Sequence, residues 1–186
     1  MYNINLKQPI YDPDAVQPMR DELVYAGFEE ATTPQKVEEI ISQKNNETIF
    51  VMINSVCGCA AGSARPGVTL ALQNKVIPDK LVTVFAGQDR DAVDHLREKY
   101  LTSIPPSSPF LALFKNSRPI FLMPRTDIEG RTPDEIASDL KYVFEKHCSK
   151  AGPSISPDEY AKLVHAVACG SKIPVYNDVS KRDELN

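Results

Sequence analysis

The segment 48–54, Thr-Ile-Phe-Val-Met-Ile-Asn, is almost entirely apolar and leads into two cysteines and a stretch of small residues. Its β-branched and aromatic residues are typical of a strand that is buried on both faces of a sheet. The small residues 60–64 open a helix that is predicted to reach residue 74, with a kink at Pro66. A strand that passes directly into a helix indicates an α/β sheet with parallel strands.

The other segments alternate in the same way and then change. Two amphipathic helices precede this strand, and a second strand and helix follow it, at residues 12–27, 35–44, 80–86 and 89–100. Two apolar runs, 110–114 and 120–123, are separated by only five residues, which predicts an antiparallel hairpin. Thr132 and Glu135 have the spacing of a capping box at the start of the last core helix. The predicted fold is α/β, a central mixed sheet flanked by helices, with an extra N-terminal helix and a C-terminal helical extension.

The charge and composition argue against a nucleic-acid-binding or membrane protein. The 186 residues carry a net charge of -4 and have a pI near 5.4, so no broad cationic surface is expected. No segment is apolar enough to cross a membrane, and no basic start followed by an apolar stretch marks an export signal. We therefore expect a cytoplasmic protein whose four cysteines are working thiols rather than two structural disulfides.

The two cysteines at the end of the apolar strand are the candidate catalytic residues. Cys57 comes first, where backbone N–H groups at the start of a helix can stabilise a thiolate. We therefore predict that Cys57 is the nucleophile and that Cys59 is either its resolving partner or a redox-sensing thiol. Gly58 between them is expected to leave the backbone free to turn.

The spacing of the cysteines also predicts the kind of reaction. Residues two apart on a helix point about 200° away from each other around its axis, whereas a disulfide needs Cβ atoms about 3.5 to 4.5 Å apart. A bridge between Cys57 and Cys59 should therefore require local distortion and be easily reduced. The favoured chemistry is exchange with an external disulfide.

Several motifs together resemble the bacilliredoxin family of thioredoxin-like proteins. They occupy residues 54–62, 64–66, 84–89, 106–109, 124–125 and 128–130, and the similarity runs from about the first helix through Cys148. The resemblance implies removal of bacillithiol from mixed disulfides on client proteins, with weak disulfide isomerase activity, Cys57 as the attacking thiol and Cys59 beside it. It further implies no tightly bound cofactor, bacillithiol as thiol co-substrate, and bacillithiolated clients, a low-molecular-weight thiol and its reductase as partners.

The resemblance also assigns a substrate-binding role to residues around the thiols. In thioredoxin-like folds a cis-proline before the hairpin lies against the active cysteines, and this place falls to Pro109. Ser108 before it is expected to pair with a bound peptide backbone, and Gly58 completes the predicted substrate-binding set. The alternative is that Pro109 and its neighbouring prolines simply stiffen a loop.

Weaker candidates each have an ordinary structural explanation. Arg65 could add positive potential near Cys57 or be an exposed surface arginine, and Arg125 and Glu129 could approach the site or be surface charges. Cys148 could form a second redox relay or be an exposed terminal thiol. The sequence also places Cys169 on an apolar helix face as a small hydrophobic residue, and the three histidines show no spacing for a zinc site.

The two ends of the chain complete the predicted organisation. We expect residues 1–148 to form the thioredoxin-like domain and 149–186 to be a linker, a helix to about Ala168 and a polar tail. The apolar side of that helix should pack on the domain or on a second copy of the chain, as in a homodimer. In the first helix, spacing places Val24 on the core side and Glu22 on the solvent side.

Three other functions remain open from the sequence. The two thiolates could hold a soft metal ion such as Cu(I), in a carrier that retains metal on purification. Modification of Cys57 could instead switch a non-catalytic redox sensor, which reacts once and does not turn over. Among enzymes, a protein disulfide isomerase is the nearest alternative.

Overall fold

A computed structural model describes residues 7–168 and 172–176 and shows an α/β fold of the thioredoxin-like kind. Five strands form the main sheet in the order β1-β4-β2-β5-β6. The strands are β1 (Glu29–Glu30), β2 (Thr48–Asn54), β4 (Lys80–Phe85), β5 (Phe110–Lys115) and β6 (Arg118–Met123). β1 and β2 each pair with β4 in parallel, and β2–β5 and β5–β6 are antiparallel, so the predicted mixed sheet and hairpin are confirmed.

Five of the helices lie on or beside this sheet. They are α1 (Pro13–Tyr25), α2 (Pro34–Ile41), α3 (Arg65–Ala71), α4 (Arg90–Tyr100) and α5 (Pro133–His147). The predicted capping box at the start of α5 is present, because Thr132 and Glu135 each accept the other's backbone N–H. A short 3-10 turn, Arg125–Asp127, connects β6 to α5. Among the described helices, none combines the length and apolar character that a membrane crossing requires.

The pleat of β2 divides the core into two layers, as an apolar strand buried on both faces should do. Phe50 and Met52 point to the layer covered by α3 and α5, where the ring of Phe50 meets Phe144 edge-on at 5.3 Å. Ile49, Val51 and Ile53 point to the other layer, which α2 and α4 cover. The sheet is thereby fixed from both sides, and the end of β2 is a rigid support for whatever follows it.

The irregular part of the helix after the cysteines lies before Pro66, not at Pro66 as predicted. The predicted kink at Pro66 is replaced by a π-helical turn, Ala60–Ala64, in which the N–H of Arg65 bonds the carbonyl of Ala60. Pro66 then sits in the first turn of α3, where its missing N–H removes no α-helical bond. Single π-turns inside helices occur frequently at functional sites.

Three short strands and two helix ends were not predicted correctly. β1, β3 (Val76–Ile77) and β7 (Lys150–Ala151) are two-residue strands, too short to show a periodic pattern, and β3 pairs with β7 in a separate small sheet. α2 ends at Ile41 rather than residue 44, because the following residues turn toward β2. α3 ends at Ala71 rather than residue 74, because residues 72–74 form the turn that leads into β3.

The chain after Cys148 also departs from the predicted helix. α6 covers only Pro157–Tyr160, and the residues to 168 follow an irregular path across α1. Val164 and Val167, expected on a buried helix face, are 81% and 84% exposed. Cys169 lies outside the described residues.

One helix face was assigned wrongly. Val24 of α1 is 45% exposed, whereas Glu22, expected in solvent, is only 2% exposed. The reason is an ion pair with a buried arginine, which a helical pattern of apolar residues does not reveal.

Candidate active site

Cys57 lies at the junction between β2 and the following helix. The strand ends at Asn54, and Gly58 and Cys59 already have helical conformation, so Cys57 stands immediately before the first helical residue. The N–H of Ala60 donates to the sulfur of Cys57 at 3.3 Å. The N–H groups of Ala60 and Ala61 also bond the carbonyl of Cys57, at 3.1 and 3.2 Å. The sulfur therefore faces the positive end of the helix, as the sequence predicted.

The surroundings of Cys57 favour its thiolate. Burial by itself raises the pKa of this half-buried thiol, but hydrogen bonds from Cys59, Ser55 and the Ala60 N–H outweigh it, with help from the charge of Arg125. The pKa of Cys57 is therefore lowered relative to an ordinary thiol. The hydroxyl of Ser55 donates to the sulfur at 3.2 Å, a contact that the sequence analysis missed because a serine near a cysteine has no distinctive pattern.

Cys59 has the opposite protonation preference. Its sulfur lies 2.7 Å from that of Cys57, and both are free thiols. Burial, the hydrogen bond to Cys57 and the negative charge there raise the pKa of Cys59 to about 11. Of the two thiols, Cys57 is therefore the one that loses its proton first, and Cys59 is the one that keeps its proton and donates to the Cys57 sulfur.

The close approach of the two sulfurs corrects the spacing argument made from sequence. That argument placed both cysteines on one regular helix, where side chains two apart diverge. Because Cys57 precedes the helix and only Cys59 is within its first turn, the two side chains converge on the same side. The two cysteines are free thiols here, so the prediction that a Cys57–Cys59 disulfide would require local distortion stays a prediction.

The turn at Gly58 does not need the conformational freedom that was predicted for this glycine. Its φ is not in the positive range, so the turn does not require a glycine there. A Cβ at this position would meet nothing within 4 Å, and the residue is exposed. The space around Gly58, between the two cysteines in sequence, is therefore open.

The loop before β5 forms the other side of the site. The Ser108–Pro109 peptide bond is cis, as predicted from the resemblance, and Pro109 is buried. The carbonyl of Ser108 lies 4.0 Å from the sulfur of Cys57. Arg97 donates to the carbonyl of Ser107 at 2.9 Å and holds this loop in place. The structure thus brings Cys57, Cys59, Gly58, Ser108 and Pro109 together, while their roles in substrate binding stay a prediction.

The two arginines near the site lie in contrasting environments. Arg125 has a side chain 44% exposed and is paired with Glu129 at 3.3 Å, so both are surface charges as expected. Its positive charge nevertheless reaches the thiols and helps to lower the pKa of Cys57. Arg65, in contrast, is fully buried and bound to Glu22, so the expectation of an exposed arginine is wrong.

Cys148 is far from the two thiols. It is half-buried at the end of α5, where burial raises its pKa although a hydrogen bond with Thr48 opposes this. Thr48 begins β2 and Cys57 follows its end, and seven strand residues span roughly 20 Å. A direct exchange between Cys148 and Cys57 is therefore out of reach.

Within residues 7–168 and 172–176, no three potential metal ligands come together. His95 and His165 instead contact glutamates, at 3.0 and 2.7 Å.

Comparison with known proteins agrees with this geometry. The sequence model of a family described as disulphide isomerase matches residues 11–148. A protein of Salinibacter ruber named bacilliredoxin is 47% identical over 148 residues, which cover 79% of this chain and 86% of that protein. Bacilliredoxins of Shouchella clausii and Bacillus cereus are 48% and 50% identical, over 75% and 74% of this chain and 95% of each relative.

Proposed function

This chain belongs to the bacilliredoxin family of thiol-disulfide redox proteins, and we propose that it removes bacillithiol from mixed disulfides on client proteins through the Cys57 thiolate. The observation that carries the proposal is the division of protons between the two thiols. The pKa of Cys57 is lowered, whereas that of Cys59 is raised to about 11. A nucleophile and a protonated neighbour are thus ready in the same open site.

The first step exchanges one disulfide for another. The Cys57 thiolate attacks the bacillithiol sulfur of the client's mixed disulfide, and the client cysteine leaves as a thiolate that takes up a proton. The new bond joins Cys57 to bacillithiol, so no net oxidation occurs. The N–H of Ala60 and the hydroxyl of Ser55 contact the attacking sulfur before the reaction.

The second step clears the adduct by one of two routes. A second bacillithiol thiolate attacks the bacillithiol sulfur of the adduct, which releases bacillithiol disulfide and restores the Cys57 thiolate. Alternatively, Cys59 loses its proton and attacks the sulfur of Cys57, from which it lies 2.7 Å away, and bacillithiol leaves. The resulting Cys57–Cys59 disulfide then needs two electrons from an external thiol reductant.

Turnover by the wild type and three variants tests the proposal. A bacillithiolated protein, and in parallel a glutathionylated one, is offered to the wild type and to Cys57→Ser, Cys59→Ser and Cys148→Ser. We expect Cys57→Ser to lose all transfer and Cys59→Ser to retain the first step, because only Cys57 is the nucleophile. Cys148→Ser serves as the matched control and should behave as the wild type. Transfer that survives in Cys57→Ser and disappears in Cys59→Ser contradicts the mechanism.

A disulfide isomerase is the second candidate, and the description of the matching family favours it. The same thiolate can attack a protein disulfide, and its release from the mixed disulfide by another client thiol leaves the client rearranged without net oxidation. Refolding of a scrambled disulfide protein separates the two activities. With an isomerase, the scrambled client regains its native activity without added bacillithiol. An enzyme that only removes bacillithiol acts on the bacillithiolated client and leaves the scrambled one unchanged.

A further inference from the structure

A buried ion pair lies beneath the loop that carries Cys57. Arg65 at the start of α3 and Glu22 on α1 both have fully buried side chains, with Nε of Arg65 2.8 Å from the carboxylate. Removing two charges from water is costly unless their remaining hydrogen-bonding groups are also satisfied. The other partners of this pair therefore indicate which segments it holds together.

Arg65 holds the loop that precedes Cys57. Its Nη1 donates to the side-chain oxygen of Asn54 and to the carbonyl of Ser55, both at 3.2 Å. The N–H of Ser55 bonds the same Asn54 oxygen at 2.9 Å. The hydroxyl of Ser55 then donates to the sulfur of Cys57 at 3.2 Å. The guanidinium thus fixes the residue whose hydroxyl stabilises the thiolate.

The C-terminal segment completes the hydrogen bonding of the pair. The carbonyl of Ala166 accepts from Nη2 of Arg65 at 2.6 Å, and the N–H of Ala166 donates to Glu22 at 3.0 Å. Nδ1 of His165 lies 2.7 Å from the other carboxylate oxygen of Glu22. These contacts come from beyond residues 11–148, the part of the chain that the family model covers.

The same segment is anchored again farther along the chain. Ile173 is buried in a small apolar cluster with Val56, the residue immediately before Cys57. The carbonyl of Pro174 accepts from the N–H of Asp12 at 2.8 Å. The segment is therefore anchored at Val56 and at Asp12, the residue before α1, in addition to its contacts with the buried pair.

We propose that His165 and Ala166 act with Glu22 and Arg65 as positioning residues that keep the Ser55 hydroxyl directed at Cys57 and so set the reactivity of its thiolate. This rests on Cys57 being the nucleophile of the proposed function. Without the C-terminal donors, the buried carboxylate of Glu22 keeps only Arg65, and a partly satisfied buried pair is unfavourable. The pair then relaxes toward water, and the hold of Arg65 on the loop weakens.

The test measures the alkylation of Cys57 by iodoacetamide against pH, with the labelled peptide identified by mass spectrometry. In His165→Ala, we expect alkylation at pH values below the pKa of Cys57 to slow about threefold, a shift of about half a pKa unit. His165→Asn should restore the rate, because an asparagine amide N–H can donate close to the position of Nδ1. Val164→Ala changes an exposed neighbour in the same segment and should leave the profile unchanged.

A second variant shows whether the segment acts through Ser55. Ser55→Ala removes the hydroxyl directly and should slow alkylation about tenfold, the effect of one hydrogen bond to a charged group. The double variant of Ser55 and His165 should be no slower than Ser55→Ala alone, because His165 acts on the thiolate through the Ser55 hydroxyl. Thermal unfolding of each variant separates lost stability from lost reactivity.

Two results overturn the proposal. One is a His165→Ala protein that melts earlier but keeps the wild-type pH profile, which makes the segment merely structural. The other is a double variant whose slowing is the product of the two single effects. Alkylation needs neither a client nor bacillithiol, so it tests the positioning role independently of the proposed function. If the variants show the expected profiles but the wild type does not remove bacillithiol from a client, only the proposed function is refuted.

Discussion

Removing the thiol of Cys59 should make Cys57 a weaker acid. The sulfur of Cys59 lies 2.7 Å from that of Cys57, and its hydrogen bond is the foremost of the contacts that lower the pKa of Cys57. A hydrogen bond to a charged group contributes about 1.5 to 3 kcal/mol, and about 1.4 kcal/mol corresponds to one pKa unit. Because water can enter this half-open site and replace part of the lost bond, we expect Cys59→Ala to raise the pKa by about one unit.

The sign of this change fixes the shape of the pH profile. At pH values below the pKa of Cys57 in both proteins, the thiolate fraction of Cys57 in Cys59→Ala is about one tenth of that in the wild type. Alkylation of Cys57 therefore slows about tenfold. Above both values Cys57 is fully ionised in each protein, so the thiolate fraction no longer differs and only the intrinsic nucleophilicity of the two thiolates does. Cys59→Ser keeps a hydroxyl donor and should lie near the wild type. A rate ratio for Cys59→Ala that is the same at every pH refutes the reasoning, since it reports access to the sulfur rather than its ionisation.

Three further substitutions test the packing and electrostatics around the site. Gly58→Ala should not lower the melting temperature, because its Cβ would meet nothing within 4 Å. Transfer from a bacillithiolated client should nevertheless slow, because the added methyl group fills part of the open space beside the two cysteines. Gly67→Ala should lower the free energy of unfolding in urea by about 1 to 3 kcal/mol, because its Cβ would lie 2.9 Å from Ile136 of α5. Gly62→Ala is the matched control and should not destabilise the protein, because its Cβ would meet nothing within 4 Å. Arg125→Ala should raise the pKa of Cys57 and therefore slow its alkylation at low salt. The difference between variant and wild type should shrink as salt is added, because ions screen the charge of Arg125. Arg125→Lys keeps the charge and should not raise the pKa.

Four of the five strands of the main sheet could be predicted from sequence because they carry their own apolar pattern, whereas the two-residue strand β1 carries none. The bounds of β2 agree with the prediction, and β4 ends one residue earlier than expected, because long apolar runs admit few other structures. Cys57 at the mouth of a helix also followed from local order alone. The convergence of Cys57 and Cys59 did not, since it depends on which residue is the first helical one, and element ends are the least certain part of any sequence-based prediction.

The buried pair of Glu22 and Arg65 shows what a periodic pattern conceals. Glu22 was assigned to solvent because it is charged, and an exposed position was one of two alternatives for Arg65, although Arg65 stands at helical spacing with the buried Ala61 and Val68. The available signal was one acidic and one basic residue, each within the apolar face of a helix. That the two residues pair could not be read from the sequence, because they are 43 residues apart. The path of residues 161–168 was equally hidden, because it follows the hydrogen-bonding needs of that pair rather than a repeat of its own.

Trapping the first intermediate tests the identity of the nucleophile most directly. Cys59→Ser, which cannot resolve an adduct through its own second thiol, is mixed with a bacillithiolated client and analysed by peptide mass spectrometry without reduction. We predict a bacillithiol adduct on the peptide containing Cys57 and a matching loss of bacillithiol from the client. An adduct on Cys148 with none on Cys57, or a client that keeps its bacillithiol, contradicts the assignment of Cys57 as the attacking thiolate.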